Sequence, residues 1–223
     1  MQAGTRHATD GAGAKNHETH GFARVPSVSE VPTPHGPARV TVQPAPDADR
    51  ALILGHGAGG GIGAGDLVAA RDAALGLGIT VALVEQPYRV AGRRSPAPAP
   101  QLDAAWLAVI AWLGTELPGA QLVCGGRSSG ARVACRTAAA SGAAAILCLA
   151  FPLHPPGRPE KSRLAELEAV KVPTLVVQGE RDPFGMPPGG PGRTVVPIPG
   201  NHSLRSTGAV REVVADWLGQ LQS

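Results

Sequence analysis

Six short apolar runs are spaced along the chain: ALIL (51–54), ITVALVE (79–85), QLVCG (121–125), AAAILCLA (143–150), VPTLVVQG (172–179) and RTVVPIP (193–199). Segments of helical period separate most of them. No other feature restricts the fold as much. A strand that is apolar throughout must be covered on both faces, and the intervening helices are the only material available to cover it. The pattern predicts an α/β fold with a mostly parallel sheet and helices on both faces.

The helical segments can be read one by one. DLVAARDAALGLG (66–78) ends at glycine. Leu102, Ala105, Trp106, Val109, Ile110, Leu113 and Leu117 fall on one helical face. ARVACRTAAAS (131–141) is stopped by Gly142, and residues 160–169 form a further short helix. The last helix carries Val210, Val213, Val214, Trp217, Leu218 and Leu221 on one stripe, with Ser206 or Thr207 as its cap. ARVTVQ (38–43) alternates and reads as a half-buried strand. The turn-forming PAPDADR between it and ALIL predicts that these two strands pair antiparallel. Residues 86–101 are proline-rich and read as a loop. Residues 1–25 hold almost no large apolar side chain and are expected to be a disordered tail, which leaves residues 26–223 as one domain. His7, His17 and His20 lie in that tail and read as solvated rather than metal-binding.

Composition removes several function classes. The formal net charge is only +3 and the arginines are scattered, so a nucleic-acid partner is not expected. No run approaches a membrane span and no signal peptide is seen, so no membrane partner is expected. Cys124, Cys135 and Cys148 form no C-x-x-C pair, which argues against zinc and against a disulfide framework. Buried free thiols fit a reducing cytoplasm, which is the expected location.

Residues 126–130, Gly-Arg-Ser-Ser-Gly, match G-x-S-x-G with Ser128 at the centre. A chain with 30 glycines produces this pattern easily by accident, so it counts only in context. Here QLVCG runs straight into it and a helix follows at once. A serine on such a strand-to-helix turn stands above the sheet edge, and small neighbours are needed beside it. The N–H of Ser129, at the start of the helix, then points to where negative charge develops. A serine nucleophile needs a base and an orienting acid. Asp182 follows VPTLVVQG and His202 follows RTVVPIP, each just past a strand end, in the chain order Ser, Asp, His. The glycine-rich LGHGAGGG (54–61) follows ALIL and offers a second oxyanion donor, the N–H of Ala58 ahead of those of Gly57 and Gly59, with His56 expected to hold this loop. No metal or organic cofactor is expected.

HGAGGG, QPYR, GGRSSGARVA, FPLHPPGRPEK, VPTLVVQGERDPFG and GNHSL together resemble a small bacterial α/β-hydrolase. The resemblance is to the dienelactone-hydrolase-like branch that contains the testis-expressed-30-like proteins and the hydrolase domain of the NSL-complex-subunit-3 type. It extends from about residue 30 to 221. It implies the α/β-hydrolase fold, with Ser128, Asp182 and His202 as catalytic residues and a small-molecule ester or thioester as substrate. Branch members tend to have Lys-Ser-Met-Gly where this chain has Arg127-Ser128-Ser129-Gly130. Dienelactone hydrolases proper use a cysteine, so Ser128 argues against carrying over their substrate. The prolines of FPLHPPGRPEK (151–161) prevent a helical lid, so an open site is expected. His154 in that segment and Tyr88 in QPYR are expected to line the substrate site.

Two other readings compete. Gly55, Gly57 and Gly60 spell G-x-G-x-x-G after a strand, with Glu85 ending the next strand, as in a dinucleotide site. Glycine continues to Gly65, however, so no helix can start where a pyrophosphate would need it. The second alternative is a non-catalytic interaction domain on the hydrolase fold. A degenerate relative would be expected to lose at least one of the three site residues.

Overall fold

The structure is a computed structural model that describes Met1 and residues 25–221. The expected tail, with His7, His17 and His20, thus lies almost wholly outside the described residues. Eight strands form one sheet: β1 (Ser27–Val31), β2 (Ala38–Gln43), β3 (Arg50–Gly55), β4 (Thr80–Glu85), β5 (Gln121–Arg127), β6 (Ala145–Leu149), β7 (Thr174–Gly179) and β8 (Arg193–Ile198). Their order is β1-β2-β4-β3-β5-β6-β7-β8. β2 is antiparallel to both of its neighbours, and every other pairing is parallel.

Side-chain alternation sorts the core into two layers. In β3, Leu52 and Leu54 join the layer under α1 (Gly65–Gly76) and α6 (Thr207–Gln220), while Ile53 joins the opposite layer. That opposite layer is closed by α3 (Ala99–Glu116) and α4 (Ser129–Ser141), with Trp106, Leu113 and Val133 in it. Trp106 and Leu113 are fully buried. Each such side chain contributes roughly 1.5–3 kcal/mol relative to exposure. This is the α/β-hydrolase arrangement, with a mostly parallel sheet and helices on both faces.

Several expectations need correction. Strands 38–43 and 51–54 do not pair, because β4 lies between them. β3 is buried at all six positions and takes a parallel neighbour on each side. β2 alternates between buried and half-buried, which suits a place nearer the sheet margin. β1 adds a strand that the sequence reading did not contain; its five residues are mostly exposed and carry little apolar signal. The proline-rich loop contains α2 (Pro87–Val90) and the first turn of α3, since a proline in the first turn loses no helical hydrogen bond. The helix expected over 160–169 shortens to α5 (Leu164–Glu168). Ser206 occupies the cap position of α6, but its hydroxyl donates to the Pro199 carbonyl at 2.9 Å rather than to the helix. Residues 151–161 contain no helix, so nothing overhangs the end of β6 as a helical lid.

Candidate active site

Ser128 is the single residue between β5 and α4, with φ 52° and ψ −105°. A positive φ is strained for a residue with a side chain and persists only where the surroundings impose it. They do so here by close packing. A Cβ on Gly126 or on Gly130 would run into the Gly55 carbonyl, so β5 and the start of α4 press directly on β3. The Ser128 N–H donates to the Leu149 carbonyl at 2.9 Å, which ties the turn to the end of β6.

Asp182 sits in the turn after β7, its side chain 1% exposed. Its Oδ1 accepts from the Phe184 N–H at 2.9 Å, and its Oδ2 accepts from Gln178 Nε2 at 2.8 Å. The same Oδ2 accepts from His202 Nδ1 at 2.8 Å. A carboxylate can only accept, so Nδ1 carries the imidazole proton and Nε2 is left with a lone pair. Nε2 lies 2.9 Å from Ser128 Oγ, whose hydroxyl can donate to it. Phe184 covers the imidazole, with ring centroids 4.2 Å apart. The structure therefore brings Ser128, His202 and Asp182 together in one hydrogen-bonded chain.

The loop after β3 faces the same turn. His56 is 2% exposed; its Nδ1–H donates to the Gly57 carbonyl at 2.8 Å and its Nε2 accepts from the Gln86 N–H at 3.1 Å. Burial pushes its basicity below the usual histidine value, so it stays neutral and holds the loop through both nitrogens. The Tyr88 hydroxyl donates to the Ala58 carbonyl at 2.9 Å, and Tyr88 itself is buried. Among the described residues, no hydrogen bond uses the N–H of Ala58 or of Ser129. His154 is half-buried; its ring packs on Gly185 in the acid loop, and its N–H donates to the Phe184 carbonyl at 3.0 Å. An open cleft of 510 Å³ adjoins the site, walled by Gly59, Gly60, Arg127, Ser203 and Arg205.

Sequence reasoning missed Gln178, Phe184, Arg127 and Asp66. Gln178 had one visible signal, a polar side chain inside an otherwise apolar strand. Arg127 had another, a large cation among small residues at the strand-to-helix turn. Of the cysteines, Cys124 is buried and burial pushes its thiol up to about 12, which leaves it protonated and inert.

The alpha/beta hydrolase domain family matches residues 48–189. Among solved structures, the chain is similar to an a/b serine hydrolase without a lid from Xanthomonas campestris. The two share 25% identity over 88% of this chain and 96% of that one, with a TM-score of 0.70. A dienelactone hydrolase from Anabaena variabilis is 16% identical over 89% of this chain and 99% of its own, with a TM-score of 0.69. An esterase from Pyrococcus furiosus is 16% identical over 88% of each chain, with a TM-score of 0.67. No curated protein matches the chain in sequence. Among the described residues, no helix is long and apolar enough to cross a membrane.

Proposed function

Because the chain belongs to the alpha/beta hydrolase domain family, we propose that it is a serine hydrolase that cleaves a small ester or thioester through an acyl-enzyme on Ser128. The observation that carries this reading is the hydrogen-bonded chain from Asp182 through His202 to Ser128, at 2.8 and 2.9 Å. Ser128 Oγ attacks the carbonyl carbon while His202 Nε2 takes the hydroxyl proton. Asp182 fixes the tautomer and stabilises the imidazolium. The N–H groups of Ser129 and Ala58 receive the oxyanion, and each such donor is worth about 10²–10³ in rate. The leaving alcohol or thiol departs with the proton from His202. Water, deprotonated by the same imidazole, then releases the acid and frees Ser128. These steps use no metal or organic cofactor.

Other features support the finer points. Tyr88 is buried and engaged with Ala58, so it serves the oxyanion loop rather than touching substrate. His154 stands beside the acid loop and forms part of the outer wall. The lidless neighbour from Xanthomonas campestris supports an open site for short, soluble esters. The motifs FPLHPPGRPEK and VPTLVVQGERDPFG support placement beside the testis-expressed-30-like proteins in the dienelactone-hydrolase-like branch. Three buried free thiols support a reducing, cytoplasmic setting.

A serine-reactive fluorophosphonate probe tests the reading. The wild-type protein should be labelled once, at Ser128, and should turn over p-nitrophenyl acetate. Ser128→Ala should lose the label and several powers of ten in turnover. Near wild-type turnover by Ser128→Ala would overturn Ser128 as the nucleophile, and a wild type that neither labels nor turns over the ester would favour a non-catalytic interaction domain instead.

A further inference from the structure

Arg127 is the last residue of β5 and stands immediately before the nucleophile. Its guanidinium touches three separate segments. Nε donates to Asp66 Oδ2 at 2.8 Å, and Nη2 donates to the His202 carbonyl at 3.0 Å. Nη1 lies against Gly57, where an added Cβ would sit only 2.8 Å away. One planar group therefore bonds the first turn of α1 and the main chain of the base, and packs on the loop that carries Ala58.

The arrangement on its far side is specific. The Asp66 side chain is 1% exposed, and burial raises its carboxyl above the usual range while Arg127 opposes that rise. A carboxylate so deeply buried is retained at a disadvantage unless its partner is fixed and its other oxygen is satisfied. Asp66 Oδ1 accepts from the Leu67 N–H at 2.9 Å, so both conditions hold. The pair then acts as a rigid bracket. With Nε committed to Asp66, the plane of the guanidinium is set and Nη2 can only point at the loop after β8. That loop has no regular secondary structure over residues 199–206, so the imidazole it carries needs a main-chain anchor of this kind. Lysine could not replace the arginine in full. A single ammonium lacks the fixed fork that bonds a carboxylate and a carbonyl at once.

We propose that Arg127 is a positioning residue which, anchored on Asp66, holds the His202 main chain and so keeps the imidazole within reach of Ser128. The inference rests on the serine-hydrolase reading for its consequence in catalysis, but its geometry can be tested without turnover. Two measurements on Arg127→Met, Arg127→Lys and Asp66→Asn decide it. The first is the rate and saturation of fluorophosphonate labelling. The second is the 15N spectrum of ring-labelled His202, which reports tautomer and hydrogen bonding directly.

Arg127→Met should slow the saturated labelling rate by tenfold or more, with half-saturation changed less than twofold. Its His202 ring should lose the single hydrogen-bonded tautomer of the wild type. Arg127→Lys should recover part of both signals. Asp66→Asn keeps an acceptor for Nε, so it should fall between wild type and Arg127→Met. Should Arg127→Met fail to fold, the lysine and asparagine variants carry the test. A His202 ring spectrum and a labelling rate like those of the wild type in a folded Arg127→Met protein would overturn the proposal. A wild type that resists the probe yet shows the Arg127-dependent ring spectrum would sink the hydrolase reading and leave the positioning role standing.

Discussion

Gln178 stands behind Asp182, on the side away from Ser128, and braces the proposed triad from within β7. It is fully buried near the end of β7, and the two N–H groups of its amide face three acceptors, Asp182 Oδ2 at 2.8 Å, the Gly185 carbonyl at 2.9 Å and the Phe151 carbonyl at 3.1 Å, with one hydrogen shared. The amide thus aims the carboxylate at His202 and pins the acid loop to the end of β6. A hydrogen bond to a charged group is worth roughly 1.5–3 kcal/mol, and Gln178→Leu should therefore lower kcat by about one to two powers of ten with KM nearly unchanged. Steady-state kinetics on p-nitrophenyl acetate check this. A raised KM with kcat retained would place the amide in substrate binding instead. The three residues of the proposed triad were legible in the sequence because each follows an apolar strand, in the chain order that one topology requires. Gln178 and Arg127 were not, because their roles depend on partners that only the fold supplies. The carboxylate that anchors Arg127 lies 61 residues away in sequence. For the same reason nothing in QPYR reveals that the Tyr88 hydroxyl bonds the Ala58 carbonyl.

At the scale of elements, the loop between β3 and α1 depends on a neutral histidine. Burial holds the basicity of His56 below that of an ordinary histidine, and protonation would remove the acceptor used by the Gln86 N–H. In the unfolded chain the same side chain titrates at its ordinary value. On acidification the unfolded state therefore binds this proton first, so the folded state loses stability as pH falls below about 6.5 and continues to lose it down to the depressed folded value. Above that window the contribution is fully present. Melting temperatures at pH 7.5 and pH 5 should show the loss in the wild type, and it should be smaller in His56→Asn. An equal acid loss in the two proteins would remove His56 as its source. The strands themselves were legible to different degrees. β3, β6 and β7 are buried at every position and announce themselves through the apolar runs ALIL, AILCL and LVV. β1 is SVSEV, with a single buried residue, and gave no such signal. The pairing of β2 with β3 was misjudged because a short turn-rich connection suggests a hairpin. The apolar β4 instead has more to gain from the position between them.

At the scale of the whole molecule, the alternation of buried strands and helices was sufficient to fix the class of fold, and the site follows from its topology. β3 and β5 are adjacent in the sheet, yet the chain leaves β3 towards β4 on one side and returns to β5 on the other. Such a reversal opens a crevice at the carboxyl ends of the strands. Ser128 and the Ala58 loop lie on its two sides, and β7 and β8 deliver Asp182 and His202 from beyond β6. What closes or exposes this crevice is the connection after β6. Pro152, Pro155, Pro156 and Pro159 fall within ten residues there, and residues 151–161 form turns rather than a helix. A helical lid would have covered the serine and offered a long apolar slot to a fatty acyl chain. Its absence leaves a site open on the side of the glycine-rich loop, where the adjoining cleft is a wide, open hollow between that loop, Arg127, Leu204 and Arg205 rather than an enclosed apolar slot. A long acyl chain laid in an open cleft stays exposed to water on one side, so each added methylene is only partly buried and length adds little binding energy. With p-nitrophenyl esters of increasing length, kcat/KM should be highest for acetate or butyrate and fall towards palmitate, with no rise in rate when the substrate passes its micellar threshold. A preference for palmitate, with a jump at that threshold, would mean that another segment of the chain covers the serine and supplies the apolar slot.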